Sequence, residues 1–183
     1  MIATQTRRLT VEDYRKLPDD DWRYQLIDGE IIMAPASNFF HQRILMNLVR
    51  LLGPVEEEKL GQLLCAPLDL FLDDQNVYQP DILFVSRSRE SIIDNDGLHG
   101  APDLIVEILS AHTARYDLNA KRSAYARAGV RELWFVFPEA RRVDIYQPAE
   151  NFESPTASRS LGEIFRSPLF PELEISTDKI FAR

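Results

Sequence analysis

A single cysteine, Cys65, leaves this chain without a partner for an internal disulfide and excludes most cysteine-based zinc sites. No apolar stretch approaches the roughly 20 residues of a membrane span. The opening MIATQTRRLT also lacks the apolar segment of a signal peptide. Basic residues are outnumbered, 21 against 29 acidic, and a net charge of −8 gives no general attraction for nucleic acid. Any such binding has to be local. The sequence holds no internal repeat and no low-complexity tract. These absences point to a cytoplasmic protein without a membrane role. The apolar share of 45% over 183 residues suits one domain with a sizeable core.

The most informative stretch is PDLIVEILSAHTARYDLNAK, residues 102–121. It opens as an apolar run rich in β-branched residues, which reads as a strand covered on both faces. Glu107 sits in its middle. Burying an unpaired carboxylate costs several kcal/mol or more, so a basic partner, a metal ion or a proton has to compensate it. Downstream the pattern turns helical from about Arg115 to Ala128, with Asp117 and Lys121 four residues apart on one face and Gly129 as the cap. Upstream, Gln79-Pro80-Asp81 places a second carboxylate ahead of Ile82-Leu83-Phe84-Val85. Strand alternation puts Gln79, Asp81 and Leu83 on one side, and Asp103, Ile105 and Glu107 on one side of their own strand. Adjacent strands would bring Asp81 and Glu107 into one site.

Around this centre, Thr10 to Asp13 resembles a capping box for a short helix from about Val11 to Leu17. Asp28-Gly29 predicts a tight hairpin. Pro35 to Asn38 can cap a helix beginning near Phe39, with an apolar stripe of Phe40, Ile44, Leu48, Leu51 and Leu52 ending at Gly53-Pro54. Residues 61–72 and 77–85 read as two long antiparallel strands, and 86–101 as a mobile loop. Glu132 to Phe137 is a strand reached by a right-handed parallel crossover, and Arg142 to Gln147 pairs back on it. Residues 147–160 read as a polar linker ahead of a short apolar segment, Leu169 to Ile175. The expected architecture is α/β, a central mixed sheet flanked by helices. It forms a single domain over 1–183, with a core of about 9–147 and a C-terminal extension, 148–183.

Pro80-Asp81, then Glu107 in an apolar strand, then a lysine, resembles the PD-(D/E)xK nuclease superfamily. The pieces LTVEDYRKLP, YQLIDGEI, HQRI, VYQPDILFV, PDLIVEILS and YARAGVRELWFV, in that order, are similar to the endonuclease-like Uma-two family, long a domain of unknown function. Each piece is weak alone; the ordered set is specific. The resemblance implies a restriction-endonuclease-like fold. The superfamily's lysine would fall two residues after the acidic one, where this chain has Leu109, and the resemblance nominates Lys121 instead. Gln25 stands where relatives commonly carry glutamate.

The implied activity is metal-dependent cleavage of DNA. Asp81 and Glu107 are hard oxygen donors suited to Mg²⁺ or Mn²⁺, with the Ile108 carbonyl as a further ligand. Lys121, in reach of both carboxylates, would orient or deprotonate the attacking water, or stabilise charge on the phosphate. Glu30, His41 and Gln79 are supporting candidates: Gln79 by sharing the face of Asp81, His41 as a ligand-binding or capping residue. A homodimer is the simplest means of cutting two strands. The competing reading takes the carboxylates as structural and Lys121 as an exposed partner of Asp117. The chain would then be a catalytically inactive nuclease-fold module for binding or regulation, which suits its acidic balance. Basic residues Arg115, Lys121, Arg122 and Arg127 near the site soften that objection. Cys65 reads as a buried small hydrophobe, and Trp22, Trp134 and Tyr125 as core or rim aromatics.

Overall fold

The computed structural model of the chain describes residues 7–18, 20, 22–34, 38–109 and 117–183. Helix α1 (Val11–Tyr14) starts where the Thr10 N–H donates to Asp13 Oδ2 at 3.0 Å, and it is shorter than the expected helix to Leu17. Strands β1 (Arg23–Ile27) and β2 (Glu30–Ala34) form the expected hairpin, with Ile27 opposite Glu30. Asp28 and Gly29 both adopt positive φ, 49° and 77°, as a tight primed turn demands. Helix α2 (Phe39–Leu52) is capped by Asn38, whose side chain accepts the His41 N–H at 2.9 Å. Pro54 then opens a further turn of helix, α3 (Pro54–Glu57), where only Val55 is buried.

Residues 61–72 are not one strand. They split into β3 (Gly61–Cys65) and β4 (Leu70–Asp73), which belong to different sheets. The second long strand divides in the same way, into β5 (Asn76–Tyr78) and β6 (Ile82–Ser86). Prolines at 67 and 80 fall in the two breaks, and neither can donate to a strand ladder. The segment expected as a mobile loop is ordered. It makes a 3-10 helix (Arg87–Ile92) and a small hairpin of β7 (Ile93–Asp94) and β8 (Gly97–His99). The hairpin is tied down by Leu98 N–H on Asp69 O at 2.8 Å and Gly100 N–H on Phe71 O at 3.0 Å. A side chain at Gly97 would run into the Asp69 carbonyl.

The chain continues through β9 (Leu104–Ile108), α4 (Asp117–Ala128), β10 (Glu132–Phe137) and β11 (Arg142–Tyr146). It ends with β12 (Ala157–Ser160), β13 (Ile164–Ser167), β14 (Phe170–Ser176) and α5 (Thr177–Ile180). The central mixed sheet runs β12-β11-β10-β9-β6-β3, with β9 parallel to β10 and antiparallel to β6. A second sheet runs β2-β1-β5-β4-β8-β7. Every residue of β9 is buried, as its unbroken apolar pattern requires.

Alternation along the central strands divides the core. Ile82, Phe84, Val106 and Trp134 face Ile44 and Leu48 of α2. Leu83, Ile105, Leu133 and Phe135 face Ala124 and Tyr125 of α4. The α2 side is completed by the end of the chain, which buries Phe165, Phe170, Ile175, Ile180 and Phe181. Each of these contributes on the order of 1.5–3 kcal/mol of burial. Asn47 fixes the terminus by donating to Ile180 O at 3.1 Å and Ala182 O at 2.9 Å. The segment expected as a polar linker includes β12, which pairs with β11 at the sheet edge. Cys65 is exposed rather than buried. It ends β3, the edge strand of the central sheet among the described residues. Trp22 is 59% exposed, whereas Trp134 is fully buried.

Candidate active site

The pairing of β6 with β9 sets Ile82 opposite Val106, and continuing that register places Asp81 beside Glu107. Both carboxylates are buried, at 8% and 5% exposure. Asp81 precedes the first residue of β6, so its side chain reaches the backbone at the end of β9. There Asp81 Oδ2 accepts the Ile108 N–H at 2.7 Å. Its other oxygen, Oδ1, lies 3.2 Å from His41 Nε2 at the start of α2. The Ile108 backbone thus meets Asp81 through its N–H.

Glu107 takes its partners from α4. Tyr125 donates its hydroxyl to Glu107 Oε1 at 2.6 Å. Lys121 Nζ lies 3.3 Å from Oε1 and 3.4 Å from Oε2. Lys121 and Tyr125 are one turn apart on α4, so a helix lying on the sheet delivers both to one carboxylate. The lysine is only 6% exposed, which removes the picture of a solvated surface pair. The side chain of Asp117 and all of Arg115 lie outside the described residues. A buried ion pair of this kind contributes little net stability, but deleting one partner strands the other charge.

Of the supporting candidates, His41 is brought to the pair. Gln79 instead braces the segment between β5 and β6. Its Nε2 donates to Asp69 Oδ1 at 2.8 Å, its Oε1 accepts from Arg23 Nε at 3.3 Å, and its N–H donates to Gln25 Oε1 at 3.3 Å. Tyr14 joins this network through Asp69 at 3.0 Å, and burial together with that carboxylate pushes its phenol pKa up. Glu30 is exposed at the hairpin turn, and among the described residues no hydrogen bond or ion pair joins it to either carboxylate. Arg122 lies over the Tyr146 ring at 5.4 Å, and Arg127 is exposed in the last turn of α4. Tyr125, expected as a packing aromatic, also donates to Glu107, and its position four residues after Lys121 is the sequence signal for a second group on the same face.

The donor set suits a hard divalent cation. Two buried carboxylates from adjacent strands offer oxygen ligands of the kind Mg²⁺ and Mn²⁺ take. A second acidic group, Asp94, Asp96 and His99, is exposed. Its Asp96 is already engaged by Arg15 at 2.7 Å and by the His99 ring at 2.8 Å.

A family model described as "Putative restriction endonuclease", Uma2, matches residues 11–178. The chain belongs to the Uma2 family. The match includes both carboxylates, the lysine and the C-terminal strands β12, β13 and β14. Among proteins similar to this Uma2 member is the uncharacterized protein sll1609 of Synechocystis sp. (strain PCC 6803). It is 24% identical over 150 residues, which is 80% of this chain and 85% of that protein. A crystal structure of a putative nuclease belonging to DUF820 from Anabaena variabilis superposes with a TM-score of 0.78. Its identity is 22%, with 95% of this chain and 98% of that chain covered. The mixed α/β architecture of the Uma2 chain is accordingly restriction-endonuclease-like.

Proposed function

We propose that this chain is a metal-dependent endonuclease that hydrolyses phosphodiester bonds in DNA. The observation that carries the reading is two buried carboxylates on adjacent strands, Asp81 and Glu107, with a buried lysine against one of them. Asp81 and Glu107 would hold Mg²⁺ or Mn²⁺, which when bound supplies charge neutralisation at the phosphoryl oxygens and acidifies a coordinated water. Lys121 orients the attacking water or stabilises charge gathering on the scissile phosphate. Its contact with Glu107, at 3.4 Å between Nζ and Oε2, supports this role by holding the ammonium beside that carboxylate. Two copies acting together would cut both strands of a duplex.

The net charge of −8 supports a second reading, in which the fold serves as a non-catalytic binding module. Plasmid nicking with Mn²⁺ and with Mg²⁺ separates the two, using wild type beside Asp81→Ala. Nicking by wild type that is lost in Asp81→Ala is the expected result. Wild type that leaves supercoiled, relaxed and single-stranded DNA intact with every metal tried rules out the nuclease.

A further inference from the structure

Each carboxylate of the pair has a partner supplied by a different helix. Asp81 faces His41 from α2, at 3.2 Å between Oδ1 and Nε2. Glu107 accepts the Tyr125 hydroxyl from α4, at 2.6 Å. The α2 and α4 side chains otherwise fill the cores on opposite faces of the central sheet.

His41 Nδ1 is buried and has no hydrogen-bond partner among the described residues. A proton at Nδ1 would be an unsatisfied buried donor, costing about 1–3 kcal/mol. A hydrogen on Nε2, by contrast, has an acceptor in Asp81 Oδ1 at 3.2 Å. Tyr125 donates its hydroxyl to Glu107 Oε1 over a short 2.6 Å.

Both donors are mechanically fixed. The N–H of His41 is held by the Asn38 cap at 2.9 Å. The Tyr125 ring is fully buried and packs edge-on against Tyr78, with centroids 5.1 Å apart, and the Tyr78 hydroxyl is anchored on Asn76 Oδ1 at 3.1 Å. A hydrogen-bond donor held in place in this way orients the carboxylate it serves.

We infer that His41 and Tyr125 are positioning residues that preorganise Asp81 and Glu107 for a divalent cation, and so set the affinity of the site for it. The inference rests on the metal-dependent reading above and extends it to two residues outside the catalytic set. Carboxylates that already point correctly lose less freedom when the ion arrives, and partners of this kind are typically worth about 10–100-fold in metal affinity.

The test is a Mn²⁺ titration followed by the electron paramagnetic resonance of the free ion. It compares wild type, Tyr125→Phe, His41→Phe and His41→Gln, with thermal unfolding recorded for each. Tyr125→Phe removes one oxygen and keeps the packing on Tyr78. A glutamine amide can return a donor close to the place of Nε2. Tyr125→Phe and His41→Phe are expected to weaken Mn²⁺ binding by about 10-fold or more. His41→Gln should recover most of that loss, and the Mn²⁺ concentration for half-maximal nicking should shift in parallel. Wild-type affinity in both phenylalanine variants overturns the inference while leaving the nuclease reading intact. Nitrogen coupling to bound Mn²⁺, lost on replacing His41, overturns it for His41 by making the ring a direct ligand. Absence of Mn²⁺ binding by wild type removes this inference and the metal-dependent reading together.

Discussion

Asp81 accepts the backbone N–H of Ile108 at 2.7 Å, so the residue following Glu107 in β9 orients the opposing carboxylate. One peptide unit therefore links the two acids. Substituting Asp81 tests structure and chemistry separately. Asp81→Ala leaves the Ile108 N–H without its acceptor and should cost about 1–3 kcal/mol in urea unfolding. Asp81→Asn retains an acceptor and should cost less, yet bind Mn²⁺ no better than Asp81→Ala in calorimetry. Equal stability losses in the two variants would show that the Ile108 contact contributes little.

Lys121 distinguishes an enzyme from a retained scaffold. Lys121→Ala should lower nicking by ~10² or more at saturating Mn²⁺, as for loss of one transition-state stabilising group. Lys121→Arg should restore little, since a planar guanidinium has different geometry and does not give up its proton. Lys121→Met should also destabilise the fold by stranding Glu107, and adding Glu107→Gln should recover part of that loss. Wild-type nicking by Lys121→Ala would remove the lysine from the mechanism.

Asp103 is a buried ion-pair anchor away from the site. It is fully buried and accepts from Ser86 N–H at 2.8 Å, and from Arg89 and Arg131 at 3.1 Å each. Burial alone would raise its pKa, but the Ser86 hydrogen bonds and the two guanidinium groups outweigh that and hold it below the usual aspartate value. A depressed folded pKa gives stability that is present above the unfolded value and lost as pH falls through the folded one. Asp103→Asn should therefore cost about 2 kcal/mol at neutral pH. The gap between the two proteins should narrow on acidification below the ordinary aspartate range. A gap that stays constant in denaturant titrations between neutral and strongly acid pH would contradict this.

Glu132 titrates with the opposite sign. It is 1% exposed, and burial pushes its pKa up despite hydrogen bonds from Trp134 Nε1 at 2.6 Å and Ser167 Oγ at 2.8 Å. A raised folded pKa gives stability that is present below the unfolded value and lost as pH rises through the folded one. Relative to Glu132→Gln, wild type should lose stability as pH climbs from the ordinary glutamate value upward. Unfolding free energies measured across that window should diverge; parallel curves would show that the carboxyl titrates normally.

Much of the site was legible because it depends on short-range pattern. The two-residue alternation of a strand put Asp81 and Glu107 on matching faces, and the 3.6-residue repeat put Lys121 on a face of α4. The hairpin at Asp28-Gly29 followed from positive φ, and β9 followed from its continuous apolar run. The breaks at 66–69 and 79–81 were hidden, because the flanking residues remain strand-like on both sides. Which sheet each half joins is decided by partners far away in the chain, such as Leu26 beside Val77 and Val106 beside Ile82. The same applies to the polar segment 86–101, held by Asp69 and Phe71, and to β12, whose ladder is supplied by β11.

The sequence by itself determined which residues could form the carboxylate pair and which helix could bring it a cation, since those follow from local backbone geometry. Only the tertiary structure decided that Tyr125 bonds Glu107, that His41 lies against Asp81, and that Gln79 turns its amide to Asp69. Burial and hydrogen bonding between distant segments select among side chains that one helix or strand face offers equally. That selection depends on how the sheet, α2 and α4 pack together, which no local pattern encodes.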